Sequence, residues 1–211
     1  MVKKLKKIIP TVFFTLATTG VVDASNLAVR LGLWHLTNPD FTQEGNLNQK
    51  NQKNFFYTEA ALENPLNRFL SLDVSLGTLF RGTIRYQTAS GNRFAGTANV
   101  LPVSVGLTLS PSPAPAGTQP YFRGGGTVAI GNSNSGNYSG RDDASGNPIF
   151  NSKTRVTAGY FGSAGVKQRL VSKVHLLTEF SFHQLKFSGP VAGISNHSGY
   201  KILAGVSINY K

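Results

Sequence analysis

The last twelve residues, YKILAGVSINYK (200–211), place an apolar or aromatic side chain at every second position: Tyr200, Ile202, Ala204, Val206, Ile208 and Tyr210. Lys201, Leu203, Gly205, Ser207 and Asn209 fill the alternate positions. A period of two belongs to a β-strand, whose successive side chains point to opposite faces; on a helix the same residues would scatter around the axis. The stripe also has a length. From Tyr200 to Tyr210 is ten steps, about 33 Å of strand, and a tilt of about 40° reduces this to about 25 Å, the height of the lipid-facing band of a transmembrane barrel.

The same alternation recurs in seven earlier segments. Their apolar positions are Leu27 to Leu33, Leu70 to Leu76, Phe80 to Tyr86, Leu101 to Leu109, Phe122 to Ile130, Val156 to Val166 and Val174 to Phe182, every second residue in each. A soluble β-sandwich alternates too, so the opposite face decides. That face carries ionisable groups in mid-strand: Arg30, Asp73, Arg81, Arg85, Arg123, Lys167, Glu179 and Lys201. An apolar stripe of membrane height backed by charges predicts an all-β chain, an eight-stranded antiparallel up-and-down transmembrane barrel with lipid outside and a polar lumen network inside. Eight strands close over an interior just wide enough to be filled by side chains. Tyr86, Tyr160, Phe182, Tyr200 and Tyr210, near the ends of the stripes, are expected to form the aromatic girdle at the two membrane interfaces.

Connections complete the expected topology. Short turns are read around Leu79, at residues 110–119 (PSPAPAGTQ follows Ser110) and between Arg169 and Lys173; longer extracellular loops at 36–67, 88–96, 131–152 and 188–199. Within the first long loop, Phe41, Phe55, Phe56 and Tyr57 are expected at the rim and TEAALEN, 58–64, as a short helix. A turn centred on Leu79 places Asp73 opposite Arg85 as a cross-strand ion pair, and Glu179 is expected beside an Arg or Lys, because buried charges must be paired.

The N-terminus has another character. Lysine-rich MVKKLKK, an apolar stretch and small residues around Ala24 predict a secretory signal peptide over 1–24, leaving a barrel domain of 25–211. The chain has no cysteine, so thiolate metal ligation and disulfides are excluded. Its formal charge of +12 comes from basic residues scattered along the sequence, which suits phosphate-bearing lipid headgroups or lipopolysaccharide and not nucleic acid. His175, Glu179 and His183 share a face, but each four-residue step along a strand is about 13 Å, too far for one ion. No metal, cofactor or catalytic residue is therefore expected.

LPVSVGLTLSP, PYFRGGGTVAIG, HLLTEFSFHQLKF and the closing strand resemble the small outer-membrane β-barrel superfamily, which includes the outer membrane protein W, outer membrane protein X and opacity-protein groups. The resemblance covers the whole mature chain. It implies residence in the outer membrane of a Gram-negative-type bacterium and a non-enzymatic surface, adhesion or envelope-integrity role. The alternative it implies is a narrow porin-like channel for small hydrophobic molecules. The implied partners are outer-membrane lipid, lipopolysaccharide, a small solute or host ligand, and the barrel-assembly machinery, which would read the C-terminal strand. Barrel-borne lipid A deacylases pair a His with a Ser two positions later and a downstream acid; His183-Gln184-Leu185 and His197-Ser198 lack that spacing, and no acid follows Glu179.

Overall fold

The computed structural model describes residues 26–40, 53–87, 93–111, 117–137, 150–191 and 193–210, with the backbone alone described at 82–87, 93–96, 135–137 and 150–151. The expected signal peptide lies outside the described residues, as do Phe41 and Lys211. The strands are β1 (Asn26–Leu36), β2 (Asn54–Pro65), β3 (Leu70–Gln87), β4 (Arg93–Leu109), β5 (Thr118–Asn137), β6 (Phe150–Val171), β7 (Val174–Val191), β8 (Ile194–Asn196) and β9 (Gly199–Asn209). From β1 to β7 each strand pairs antiparallel with the next. β9 then pairs with both β7 and β1, which closes an eight-stranded up-and-down barrel; β8 is a short addition to β7 at one rim. Over the height that β1, β2 and β9 share with the longer strands, closure leaves no open sheet edge, the condition for a sheet to sit in hydrocarbon.

The eight strands are not the eight segments read from the sequence. Residues 54–65, assigned there to a loop with a short helix, form β2, so Phe55 and Tyr57 are buried inside the barrel and Phe56 is exposed outside it. The second and third segments are one strand, β3, with no turn at Leu79, whose side chain is fully buried. Asp73 consequently cannot face Arg85. The two are twelve positions apart on the same strand, about 40 Å, with Asp73 in register with Glu63 and Gly106, and Arg85 with Ala95. The loops expected at 88–96 and 131–152 are also shorter, because β4 begins at Arg93 and β5 runs on to Asn137.

Side-chain placement inverts that of a soluble protein. Ile202 is 61% exposed and Leu33 55%, with Val29, Leu31, Leu76, Phe122 and Phe180 similarly bare on the outer wall, whereas Arg30 and Asp73 are completely buried within. Such an exterior is stable only in lipid, since removing apolar surface from water is the main force that folds a chain. Together with closure at an even strand number, this makes the chain an outer-membrane barrel of the bacterial type.

The wall is uneven in height. β1, β2 and β9 have 11 or 12 residues, while β3 to β7 have 17 to 22. At the low side the chain after β7 folds back across the mouth. Thr37 N–H donates to Ser198 O at 3.1 Å and His197 N–H to Leu185 O at 2.8 Å. The carboxylate of Asp40 accepts from the backbone N–H groups of Ser195 (3.0 Å) and Asn196 (2.6 Å) and from Ser195 Oγ.

Candidate functional site in the barrel lumen

The lumen is built in two layers. Nearer the long loops, Trp34, Leu36, Phe55, Leu79, Val100, Leu185, Phe187, Val191 and Ile194 pack into one apolar cluster. Each comes from the inward parity of its strand, except that Ile194 arrives from the segment folded across the mouth. Arg81 donates to Val191 O, at the end of β7 where that segment begins.

Below lies an ionic layer. Arg30 on β1 donates to its cross-strand neighbour Glu59 at 2.7 Å, with Glu179 and Glu63 each at 3.6 Å. Arg123 on β5 reaches across the lumen to Glu179 at 2.9 Å, to Asp73 by a shorter contact and to Glu59 at 3.4 Å. Lys167 pairs with Glu63, and Lys201 lies 3.5 Å from Glu59. Arg30, Arg123, Lys167 and Lys201 thus balance Glu59, Glu63, Asp73 and Glu179. Balance matters because an isolated charge is not tolerated when it is so deeply buried. Glu63 and Asp73, like charges in direct register, stay side by side because Lys167 takes one and Arg123 the other.

Two tyrosines hold the layer in place. Tyr57 donates its hydroxyl to Glu59 and Tyr121 to Glu179, both at 2.9 Å. Each ring crosses a glycine: a Cβ at Gly77 would collide with Tyr57, and one at Gly165 with Tyr121. The same rings face cations, Lys201 Nζ lying 4.0 Å from the Tyr57 centroid and Lys167 Nζ 5.3 Å from that of Tyr121, an arrangement that gains strength away from water.

Of the sequence-predicted lumen residues, Arg30, Asp73, Arg123, Lys167, Glu179 and Lys201 come together in this layer. Arg81 is buried separately, against the Phe55 ring at 5.4 Å and the mouth segment. The side chain of Arg85 lies outside the described ones. Glu59, Glu63, Tyr57 and Tyr121 were missed. The signal for the two acids was an imbalance: the inward residues read from sequence had six cations and two carboxylates, and buried charges cannot stay so unpaired.

On the outer wall Tyr160, Phe182 and Tyr210 are exposed. Tyr200 is half-buried, stacked on His35 at 4.7 Å and Phe180 at 5.7 Å, and the side chain of Tyr86 lies outside the described ones. Among the described residues no group of three or more His, Asp or Glu is placed to hold a metal. His183 lies between Trp34 and Phe161, at ring distances of 5.1 and 5.4 Å, with Nδ1 unpartnered. Ser198 Oγ is occupied by the Leu185 backbone.

No protein-family model matches the chain, and no curated protein matches it in sequence. Solved structures do. The outer membrane protein OprG from Pseudomonas aeruginosa superposes with a TM-score of 0.52 at 13% identity, over 89% of this chain and 97% of that one. Ail, the attachment invasion locus protein of Yersinia pestis, gives 0.49 at 10% identity over 89% and 99%. Neisserial surface protein A gives 0.45 at 14% over 87% and 97%. At such identity the likeness to OprG speaks for the fold, the small outer-membrane β-barrel.

Proposed function

We propose that this barrel is a non-enzymatic outer-membrane protein that acts through its outer surface and its long-loop rim, in adhesion or envelope integrity, and not through its lumen. The observation that carries the reading is the double closure of the interior: a charge-balanced layer spanning the lumen, and an apolar plug above it. A continuous aqueous path would require several paired charges to separate at once, and each separation leaves a charge without its partner. The exposed lysines Lys53, Lys153 and Lys186 belong to the long-loop side, where lipopolysaccharide phosphates offer them counter-charge. In this reading β9, which closes the barrel against β1, is also the strand the assembly machinery recognises.

Planar-bilayer recording tests the reading. The purified full-length barrel is expected to give no openings above baseline. Steady openings altered by a change at Arg123 would instead establish the narrow channel and overturn a surface role with a sealed lumen.

A further inference from the structure

The outer wall of β3 to β6 changes chemistry along its height. Leu101, Val103, Val128, Ile130 and Val156 form the apolar band. Directly beyond it, toward the long loops, the outward positions become Asn99, Asn132 and Thr154 in one row and Thr97, Asn134 and Ser152 in the next, each row in register across β4, β5 and β6. Two strand spacings by one outward repeat make a lattice of about 10 by 7 Å. All of it but Thr154 lines a concavity of about 400 Å³ walled on one side by Phe80. Phe80 is half exposed and stacked on Phe56 at 6.4 Å.

The donor and acceptor inventory is specific. Thr154 Oγ1 donates to Asn132 Oδ1 at 2.9 Å, a contact that engages the Asn132 acceptor and none of its amide hydrogens. Asn99 Oδ1 is shielded from solvent and has no hydrogen-bond partner, a condition that calls for a donor from elsewhere. Among the described residues, those that line the concavity are uncharged. At the cradle β4 and β5, which carry Thr97, Asn99, Asn132 and Asn134, are paired on both sides, so over these four residues a ligand meets side chains and not a free strand edge. Amides and hydroxyls beside one aromatic ring, without charge, match a ligand with many hydroxyls and one apolar face.

We propose that this cradle binds an uncharged saccharide, one or two hexose rings, with Phe80 against the apolar ring face and Asn99, Asn132 and Asn134 bridging neighbouring hydroxyls. The inference rests on the outer-membrane reading, which puts the cradle just above the lipid, but not on the sealed lumen. The saccharide comes either from the neutral core sugars of surrounding lipopolysaccharide or from a soluble or host glycan.

The test is calorimetric titration of the folded full-length barrel in detergent, with dephosphorylated lipopolysaccharide core oligosaccharide in one arm and neutral disaccharides (maltose, lactose, N-acetyllactosamine) in the other. Asn99→Leu with Asn134→Leu should weaken binding by roughly tenfold or more, the equivalent of one or two hydrogen bonds. Thr97→Val with Ser152→Ala, which preserves shape, should weaken it by a smaller factor and guards against a folding artefact, with heat-shifted gel mobility checking closure. Binding in the core arm alone assigns the membrane's own sugars, and binding in the disaccharide arm alone assigns an external glycan. Heat evolved in neither arm, or equal affinity in both variants, overturns the cradle and leaves the lumen reading untouched; channel openings would do the reverse.

Discussion

The two layers of the lumen exclude water by different physics. The apolar plug does so by packing, in which each side chain contributes its own buried area and a loss stays local. The ionic layer does so by mutual compensation, because Arg123 alone serves Asp73, Glu179 and Glu59, so a loss spreads to every partner. A plug of the first kind tolerates substitution by degrees. One of the second kind is intact or broken.

The largest effect is therefore expected at the hub. Arg123→Ala should destabilise the barrel by about 3–5 kcal/mol, since it leaves four buried carboxylates to three cations and gives Asp73 nothing nearer than Arg30 at 4.0 Å. Arg123→Lys should restore little, because one ammonium cannot reproduce a planar fork that meets three acids. The midpoint of the heat-induced gel shift or of urea unfolding in detergent measures both, and a loss below that of the plug variant would erase the contrast. In the plug, Leu79→Ala should cost about 2–4 kcal/mol through the cavity it creates, with no change in how the midpoint responds to pH.

Removing both members of an ionic contact sharpens the comparison further. Glu63→Gln together with Lys167→Met should shift stability by no more than about 1–2 kcal/mol in either direction, whereas Glu63→Gln alone should cost more, since Lys167 then stays at the lumen without its partner. Additive single effects would show that the layer is not a unit.

The mouth segment that completes the plug introduces a pH dependence. Burial, reinforced by the nearby Arg81 charge, pushes His197 from an ordinary value of 6.5 down to about 3. Between those values the opened segment takes up a proton that the closed one refuses. Closure is thus fully present above pH 6.5 and weakens progressively as pH falls toward 3. Hydrogen-exchange protection of the His197 amide should drop by roughly thirtyfold between pH 7.5 and pH 5, and His197→Gln should flatten the profile.

The smallest effect concerns Asp40. Burial opposes its ionisation, but hydrogen bonds from Ser195 Oγ and from the Asn196 and Ser195 amides outweigh it and hold the carboxyl below its ordinary 3.8. Its contribution is present above that value and lost as pH falls through the lower folded one, so at pH 5 only His197 acts. Asp40→Ala should raise exchange at the Ser195 and Asn196 amides while leaving the gel-shift midpoint unmoved.

How legible this was in the sequence depended on how locally each property is encoded. In β1 and β9 the outward parity is apolar without a break from Leu27 to Leu33 and from Tyr200 to Ile208, and both strands lie where the pattern put them. In β2 the inward parity carries Phe55 and Tyr57 beside Glu59 and Glu63, and the outward parity carries Thr58 and Ala60. Polarity therefore does not sort by face, and TEAALEN, rich in helix-favouring residues, read as a helix. β3 was divided at Leu79, although the even-numbered apolar parity runs from Leu70 to Phe80 with Thr78 as its one polar residue. Missing one strand and halving another left the count at eight, while the acidic half of the ionic layer went unseen.

By itself the sequence determined a two-sided wall of membrane height with charges turned inward, because a period of two is written residue by residue and needs no knowledge of neighbours. Which charges meet was decided only by tertiary structure. Lys167 finds Glu63 across 104 positions and Arg123 finds Glu179 across 56, because closure and register bring distant strands to one level and long side chains then span the lumen between them.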